Sequence, residues 1–418
     1  MTQYCKISGQ RILLLQGPMG LFFKRLGVHL RKAGAETWQV CFNSGDALFA
    51  PRRNRISYLG TPEAWHDDVR RLLKELSIDT VMLFGDCRHY HRVAIEVAGE
   101  LGVAVAVFEE GYTRPHFLTV EEGGVNDFSK ISKDPGFYRK LTALGPDPET
   151  VVVKGAFRRM AFQASCYYMA MEFGRRWYPH YQHHRDRSPY REAGYGIRNV
   201  IRKFAYRFSE RGVDDKMKGE WGQRYYFVPL QTECDAQVRV HSSFISMTHF
   251  IITVMNSFAR HAPEASLLIL KHHPMDRGVT NYSVTIKALA RELGIEDRVH
   301  YYHDIHLPTA LRNTLGTITI NSTVGISSLV HAKPTLVLGR AMYDIEGLTC
   351  KGMGLDRFWC EARKPDPKLF RSFRRYVLCT TQVSGSFYTG FPNVDSLLQR
   401  LPVPGNHSEK SVQGKRAI

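Results

Sequence analysis

Residues 266–274 read SLLILKHHP, and residues 316–330 read GTITINSTVGISSLV. In both stretches an apolar run typical of a buried strand is followed directly by polar residues, and the second continues into a helix-like apolar run. Ligands of open α/β sheets bind beyond the carboxyl ends of the strands, where backbone N–H groups at helix N-termini face anionic phosphate. The two stretches therefore predict two loops of one nucleotide-sugar site.

The same alternation of strand and helix runs through both halves of the chain. The first half has predicted strands at 11–16, 37–42, 80–84 and 103–108, and helices at 21–32, 62–76 and 90–101. The second half has predicted strands at 225–230, 266–270, 299–302, 316–320 and 335–338, and helices at 244–260, 282–293, 307–312 and 324–331. This order predicts an α/β fold with two Rossmann-like domains.

The chain divides into five predicted segments. They are an N-terminal Rossmann-like acceptor and catalytic domain (1–126), a helical basic and aromatic connector (127–220), a C-terminal Rossmann-like nucleotide-sugar domain (221–345), C-terminal helices packing back on the core (346–401) and a disordered tail (402–418). The tail is predicted from its Gly, Ser, Lys and Asn content.

Composition limits the classes of protein. With 418 residues, of which 43% are hydrophobic and 23% charged, the chain can form two full cores and is not mainly disordered. Its net charge of +17 favours a polyanionic partner, whether nucleic acid, an anionic membrane or a phosphorylated substrate. Charge alone does not choose among these partners.

Cysteine usage and apolar runs predict the compartment. The eight cysteines are scattered and form no CxxC motif, as expected of reduced thiols in a cytoplasmic protein. The apolar run at 12–15 is too short for the core of a signal peptide, and no run approaches the roughly 20 residues that span a bilayer. Any membrane contact is therefore expected to be peripheral.

Within the connector, residues 155–220 mix arginines with aromatic residues in helix-prone sequence. Examples are Arg158, Arg175, Arg176, Arg185, Arg187, Phe162, Phe173 and Trp177. Such a mixture suits an anionic membrane interface. An ordinary solvated connector, whose aromatic residues pack on the two domains, explains it equally well.

Carboxylates follow two neighbouring predicted strands of the first half. The strand at 103–108 ends in Glu109 and Glu110, and the strand at 80–84 is followed by Asp86. Because successive side chains of a strand point to opposite sides, at least one glutamate should reach the cleft, where it could serve as nucleophile or general base in glycosyl transfer. The segment with Thr119 and Glu121 is predicted to continue this strand end as a polar loop. The simpler alternative is an exposed turn.

Polar residues of the second half suit a nucleotide. Lys271, His272 and His273 offer charge and hydrogen bonds for phosphate and ribose, while Pro274 fixes the turn. The other loop offers Asn321, Ser322, Thr323 and Ser327, with an N-cap before an apolar helix. Each loop alone could be an ordinary capped turn.

The pattern His300, His303, His306 spans a strand and a loop, so no metal site is expected.

Five segments together resemble the capsule polysaccharide biosynthesis family of Gram-negative bacteria, specifically the KpsS-like β-Kdo transferases. They are GDCRHYHR (85–92), FEEGYTRPHFLTVEEGGVN (108–126), PLQTECDAQV (229–238), KHHPMDRG (271–278) and NSTVGISSLVHAKPTLVLG (321–339). The resemblance implies a GT-B-like fold and transfer of 3-deoxy-D-manno-oct-2-ulosonic acid (Kdo) from CMP-β-Kdo to a lysophosphatidylglycerol primer, which initiates the poly-Kdo linker of capsule. Donor and product are both β, so the implied reaction is retaining.

The resemblance also implies roles for particular residues. Glu110 would be the catalytic carboxylate, with Glu109 and Asp86 as the other candidates. Lys271, His273 and Pro274 would form the nucleotide loop, and Ser322 and Thr323 would lie near the CMP phosphate. Candidate acceptor or sugar ligands in the matching segments are Arg88, His91, Arg114, Glu121 and Gln231.

The implied partners are CMP-Kdo, an anionic lipid acceptor, the inner membrane surface and other capsule biosynthesis and export proteins, but no nucleic acid. No metal or other cofactor is implied, and the expected location is cytoplasmic with peripheral attachment to the inner membrane. Two other readings stay open. One is a different GT-B glycosyltransferase or a nucleotide-sugar epimerase, and the other is a non-catalytic polyanion-binding protein.

Overall fold

The computed structural model describes residues 7–113, 116–141, 150–183, 189–233, 238 and 241–402, with only the backbone for 189–193. Its strands are β1 (Arg11–Leu14), β2 (Glu36–Cys41), β3 (Arg55–Ser57), β4 (Thr80–Phe84), β5 (Ala104–Glu110), β6 (Phe117–Glu122), β7 (Tyr225–Pro229), β8 (Leu267–Lys271), β9 (Val299–Tyr302), β10 (Gly316–Thr319), β11 (Thr335–Val337) and β12 (Gln382–Ser384). They form two sheets.

The helices of the described residues alternate with these strands. They are α1 (Phe22–Lys32), α2 (Ser44–Phe49), α3 (Trp65–Glu75), α4 (His89–Leu101), α5 (Pro135–Arg139), α6 (Ala156–Phe173), α7 (Pro189–Ser209), α8 (Val213–Lys218), α9 (Met247–His261), α10 (Ser283–Glu292), α11 (Leu307–Asn313), α12 (Val324–Val330), α13 (Leu355–Glu361), α14 (Pro367–Thr380) and α15 (Val394–Leu398). In the part of the chain described, no helix is long and apolar enough to cross a membrane.

The two sheets differ in size but share one design. The first has the order β12-β6-β5-β4-β1-β2-β3, and the second has the order β11-β10-β7-β8-β9. All pairings of the second sheet and those from β5 to β3 in the first are parallel. Parallel strands end at the same edge, so the loops after β4 and β5, and those after β8 and β10, are neighbours. The GT-B-like α/β fold class is confirmed.

Burial explains why these segments form strands and helices. The parallel strands carry near-continuous apolar runs because helices cover both faces of each sheet. On α1, Phe22, Phe23, Leu26 and Leu30 recur at helical spacing and are all buried. Ser246 caps α9 by accepting a hydrogen bond from a backbone N–H of the first turn. The strands and helices predicted from apolar periodicity are confirmed to within a few residues.

The polar loop predicted around Thr119 and Glu121 is wrong. These residues belong to β6, which runs antiparallel to β5. Both are buried although they are polar. Thr119 accepts a hydrogen bond from Gln382 Nε2 at 3.0 Å, so its hydroxyl is satisfied inside the sheet. Residues 118–121 alternate apolar and polar side chains as a strand does, but both faces are buried, and the polar composition therefore misled the prediction.

The C-terminal segment returns to the first sheet. Strand β12 pairs with β6 in antiparallel register. Val383, Phe387 and Leu397 share one core with Phe22 and Phe108 of the N-terminal half. Helix α14 lies against α5, where the rings of Tyr138 and Phe373 are 5.4 Å apart. Residues 382–398 thus pack against β6 and share a core with β5.

Candidate active site at the strand ends of the two sheets

The two glutamates lie at the end of β5, which runs to Glu110. Both are half-buried, and Glu110 N donates a hydrogen bond to Glu109 Oε1 at 2.9 Å. The carboxylate of Glu109 faces Gly85 beyond β4, because a Cβ on this glycine would lie 3.5 Å from Glu109 Oε2. Burial, followed by the charge of Glu110 and, to a smaller extent, that of Glu109, raises the pKa of Tyr388.

Asp86 is buried, and both of its oxygens accept hydrogen bonds inside the protein. Oδ2 accepts from Val125 N at 2.9 Å, and Oδ1 accepts from Cys87 Sγ at 3.2 Å. A carboxylate engaged in this way fixes the loop after β6 against the end of β4. Its geometry fits positioning better than proton transfer to a substrate.

Glu121 supports the acidic turn from inside the domain. Tyr112 donates to its Oε1 at 2.5 Å, and Ser129 donates to its Oε2. Burial raises the pKa of Glu121 to about 7. Tyr112 in turn accepts a hydrogen bond from Asn126 N at 2.7 Å, so one network joins β5, β6 and the following loop. Glu121 is therefore held in the interior of the first domain by Tyr112 and Ser129.

Arg88 lies partly at the surface, whereas His91 lies in the core. Arg88 is half-buried and donates to Gln16 Oε1 at 3.0 Å, and Gln16 also donates to the buried Asp46. His91 is fully buried, with Nδ1 2.7 Å from Gly85 O, and burial lowers its pKa to about 3. It is therefore a neutral core histidine that holds the β4 loop. Arg114 lies outside the described residues.

The loop predicted to bind the nucleotide, called the nucleotide loop below, begins at Lys271, the last residue of β8. Lys271 is buried, and burial followed by the charge of Arg277 lowers its pKa to about 8. His272 is buried too, with Nδ1 2.5 Å from Tyr301 OH and a pKa that burial lowers to about 3. His273 is half-buried, and its Nδ1 accepts from Met275 N at 3.2 Å. Pro274 is exposed.

Helix α7 holds this loop from the outside. Asn199 Nδ2 donates to Pro274 O at 3.0 Å, and Arg202 Nη1 donates to Arg277 O at 2.8 Å. The backbone of α7 approaches Gly278 so closely that a Cβ there would clash with a carbonyl oxygen of the helix. The sequence did not reveal this role of the connector, although the glycine in KHHPMDRG marks the close approach.

The loop after β10 is tied to the end of β7. Gln231 Nε2 donates to Asn321 Oδ1 at 2.9 Å, and Asn321 N donates to Gln231 Oε1 at 3.2 Å. Ser322 Oγ accepts from Val324 N at 3.2 Å, whereas the side chain of Thr323 makes no cap hydrogen bond. The local cap thus comes from Ser322, one residue earlier than the start of α12 indicates. Ser327 is half-buried on α12.

Contacts between the domains bring the two loop clusters together. The buried His241 has Nε2 3.7 Å from Cys87 Sγ and Nδ1 3.5 Å from Asp127 Oδ2. The His241 contact, followed by Lys133 and Arg340, holds the pKa of Asp127 far below its usual value. No motif pointed to His241 or Asp127, which are 114 residues apart in sequence. Their contact sets the acidic loops against the second domain.

A shared core makes the same connection. Tyr112, two residues after Glu110, packs in one cluster with Ile326 of α12 and with Tyr343. Tyr343 donates to Ser322 O at 2.5 Å. The acidic turn and the Ser/Thr loop are therefore linked through two tyrosines.

The three histidines of the HxxHxxH pattern have separate partners. His300 stacks on Trp221 with ring centres 4.7 Å apart, His303 Nδ1 is 3.0 Å from Glu210 Oε1, and His306 Nδ1 is 2.9 Å from Thr309 Oγ1. Across the described ranges, no three His, Cys, Asp or Glu side chains are grouped so as to hold a metal ion.

Two surface cavities lie away from these loops. One, of about 350 Å³, is lined by residues of α10 and β9. The other, of about 320 Å³, is lined by residues around β2, β3 and α3. Neither is lined by a glutamate of the acidic turn.

Comparisons with known proteins agree with the site motifs. Residues 79–388 match the family described as "Capsule polysaccharide biosynthesis protein". The chain is 43% identical to the Escherichia coli "Capsule polysaccharide export protein KpsS" over 91% of this chain and 98% of the relative. It is 37% identical to the Neisseria meningitidis serogroup B "Capsule polysaccharide modification protein LipB" over 95% of this chain and 96% of the relative. A similar solved structure, "Thermosulfurimonas dismutans KpsC, beta Kdo 2,7 transferase", has a TM-score of 0.43 and 13% identity, over 94% of this chain and 98% of that chain. By the family match and the two relatives, this chain belongs to the capsule polysaccharide biosynthesis protein family.

Proposed function

We propose that this protein is a retaining glycosyltransferase that moves Kdo from CMP-β-Kdo to a lysophosphatidylglycerol primer and so initiates the poly-Kdo linker of capsular polysaccharide. The observation that carries the proposal is the approach of the loops after β4 and β6 to the second domain through Cys87, His241 and Asp127. Carboxylates of one domain and phosphate-binding groups of the other then face one substrate. The relatives' names support a role in capsule formation. The family resemblance of the sequence motifs implies Kdo as the transferred sugar and lysophosphatidylglycerol as the primer.

The chemistry assigned to Glu110 is nucleophilic. Its carboxylate oxygen bonds to the anomeric carbon of Kdo while the bond from that carbon to the CMP phosphate oxygen breaks. The primer hydroxyl then displaces Glu110 and loses its proton, and two inversions give net retention. We choose Glu110 because the family resemblance implies this role for it and because it is the last residue of β5, at the edge of the sheet where the strand ends meet.

The phosphate of CMP leaves with developing negative charge. Lys271, with a pKa of about 8, stays mostly protonated at neutral pH and contributes positive charge at the β8 end. His273, Ser322 and Thr323 supply hydrogen bonds, while His272 and Gln231 hold the loops in place. The proposal includes no metal or other cofactor.

The lipid primer defines the proposed location. An enzyme that extends a phospholipid acts where that lipid resides, so we place the protein in the cytoplasm, peripherally on the inner membrane. Its basic charge of +17 suits an anionic lipid surface. Other capsule biosynthesis and export proteins are the proposed protein partners, and nucleic acid is not.

The direct test is transfer by purified protein with CMP-Kdo generated in situ and a fluorescent lysophosphatidylglycerol acceptor, read by mass spectrometry. Glu110→Gln should abolish the added Kdo mass while calorimetric CMP binding persists. The matched control is Glu122→Gln, which neutralises an exposed carboxylate on β6. Near-normal turnover by Glu110→Gln would remove that residue from the mechanism. Conversion of a UDP-sugar without any acceptor would support an epimerase instead.

A further inference from the structure

Helix α7 exposes a stripe of large apolar side chains. Ile197, Val200, Ile201, Phe204 and Phe208 are each 57 to 68% exposed. At 3.6 residues per turn these positions lie on one side of the helix. A surface helix normally turns such a stripe towards the core. Here the stripe faces outward, which calls for an apolar partner.

The opposite side of α7 is polar and is already used. Arg198 Nη2 donates to Val279 O at 3.0 Å, and Asn199 and Arg202 donate to other carbonyls of the nucleotide loop. Just after the helix, Glu210 accepts from the N–H groups of His303 and Asp304. These hydrogen bonds fix which side of α7 faces outward. The apolar stripe is therefore exposed in the folded protein.

Helix α6 repeats the design on the first domain. Phe162, Met169 and Phe173 lie on one side and are 53 to 81% exposed. On another side Tyr167 is buried, donates to Asp46 Oδ1 at 2.9 Å and accepts from Asn43 Nδ2 at 2.8 Å. Helices α6 and α7 touch each other. Each helix is thus anchored to its own domain by polar contacts and presents apolar residues outward.

The charge around the apolar stripes of α6 and α7 indicates what kind of partner would cover them. Residues 151–211 contain 13 Lys and Arg against 4 Asp and Glu, a net +9 of the chain's +17. On α7, Lys203 and Arg207 are exposed beside the stripe. A second copy of the same face would bring like charges together. An anionic lipid surface satisfies the apolar stripe and its basic flanks at once.

We infer that the outward sides of α6 and α7 form a docking surface for an anionic phospholipid membrane, with α7 lying in the interface and Phe204 and Phe208 entering the acyl region. The inference rests on the proposed function in one respect, the lipid nature of the acceptor. It adds that the membrane and the nucleotide loop meet opposite sides of one helix. Membrane contact would then hold residues 271–280 next to the lipid acceptor.

The test is co-sedimentation of the full chain with phosphatidylglycerol vesicles and with phosphatidylcholine vesicles, in the absence of donor. The parent should prefer phosphatidylglycerol and lose affinity as salt rises. The triple variant Ile201→Ser, Phe204→Ser, Phe208→Ser should bind at least about tenfold more weakly. The matched control Leu59→Ser, Ile252→Ser, Val284→Ser removes three exposed apolar side chains elsewhere and should bind like the parent.

Several outcomes would overturn the inference. They are equal vesicle binding by the triple variant and the parent, equal binding of the parent to both lipids, and a parent dimer that the triple variant dissociates without loss of lipid binding. If the triple variant fails to fold, Lys203→Gln with Arg207→Gln keeps the test open, since each lost charge should weaken binding about fivefold. Transfer to a soluble short-chain acceptor tests the proposed function separately, because the triple variant should retain that transfer.

Discussion

Each domain contributes a pair of identical adjacent residues to the site, Glu109-Glu110 and His272-His273, and the two pairs are built differently. In the second domain the pair is divided between core and surface. His272 is buried, neutral and bonded to Tyr301, whereas His273 is half-buried at the turn. In the first domain both glutamates are half-buried, and a third carboxylate, Glu121, is buried in the neighbouring strand β6. The loop for the nucleotide thus has one anchoring histidine, while the acidic turn is anchored by another strand.

The largest expected effect separates the two glutamates. Glu110→Gln should lower transfer at least about a thousandfold, because a carboxamide cannot act as the nucleophile. Glu109→Gln should lower transfer much less, since Glu109 faces Gly85 and accepts from the backbone of Glu110. Initial rates of Kdo transfer by the two purified variants check this order. Equal losses in the two variants would mean that the glutamates act as a unit.

Glu121 in the first domain and Lys271 in the second should contribute pH dependences of stability with opposite signs. The folded pKa of Glu121 is raised to about 7 from 4.5, so between these values the folded state binds more protons than the unfolded state, and stability falls as pH rises. The pKa of Lys271 is lowered to about 8 from 10.5, so between these values the unfolded state binds more protons and stability rises with pH.

The variant Glu121→Gln measures how much Glu121 contributes to the pH dependence of stability. In the parent, Glu121 should lower the free energy of unfolding by about 3 kcal/mol as pH rises from 4.5 to 7, a value that follows from the size of its pKa change. The variant should lack this decrease. In both proteins Asp46, whose pKa burial raises to about 6, adds a slope of the same sign, whereas His91 and His272, whose pKa values burial lowers to about 3, add slopes of the opposite sign below pH 6.5, so the effect of Glu121 is read from the difference between variant and parent. Urea unfolding at several pH values measures the difference, and parallel curves for variant and parent would show that Glu121 does not titrate in this window.

Substitution of the two histidines should separate binding from stability. His273→Ala should weaken CMP binding about tenfold or more, because a hydrogen bond to a charged group contributes roughly 1.5–3 kcal/mol. The double variant Ser322→Ala, Thr323→Ala should act in the same direction. His272→Ala should instead lower the melting temperature, because it empties a buried site and removes the bond to Tyr301. Calorimetric titration and thermal unfolding are the two measurements, and unchanged CMP affinity in His273→Ala would place the nucleotide elsewhere.

The smallest expected effect tests the support of the nucleotide loop by α7. Gly278→Ala should destabilise the protein by about 1–3 kcal/mol, because the new Cβ meets the helix backbone. The control is Gly99→Ala on α4, where a Cβ meets nothing within 4 Å and Ala is the better helix former. Thermal unfolding of both variants checks the difference. A Gly278→Ala protein that is as stable as the parent would show that α7 does not contact the nucleotide loop closely at Gly278.

Much of this architecture was predictable because parallel strands are near-continuous apolar runs. Strands β4, β7 and β8 stand out in the sequence for that reason. Strand β6 did not, since Thr119 and Glu121 are polar yet buried with partners from other segments. The site motifs were visible, but the division between His272 and His273 depends on the direction of the chain after β8. The contacts of α7 use backbone carbonyls as acceptors, which leave no trace in the sequence.

Kdo transfer is tested most directly by mass spectrometry of a lysophosphatidylglycerol acceptor incubated with purified protein and CMP-Kdo. We expect the mass of Kdo to be added to the primer by the parent protein, and by Glu122→Gln at a similar rate, but not by Glu110→Gln. An unmodified primer with active CMP-Kdo present, or equal Kdo addition by the parent and Glu110→Gln, would contradict this expectation.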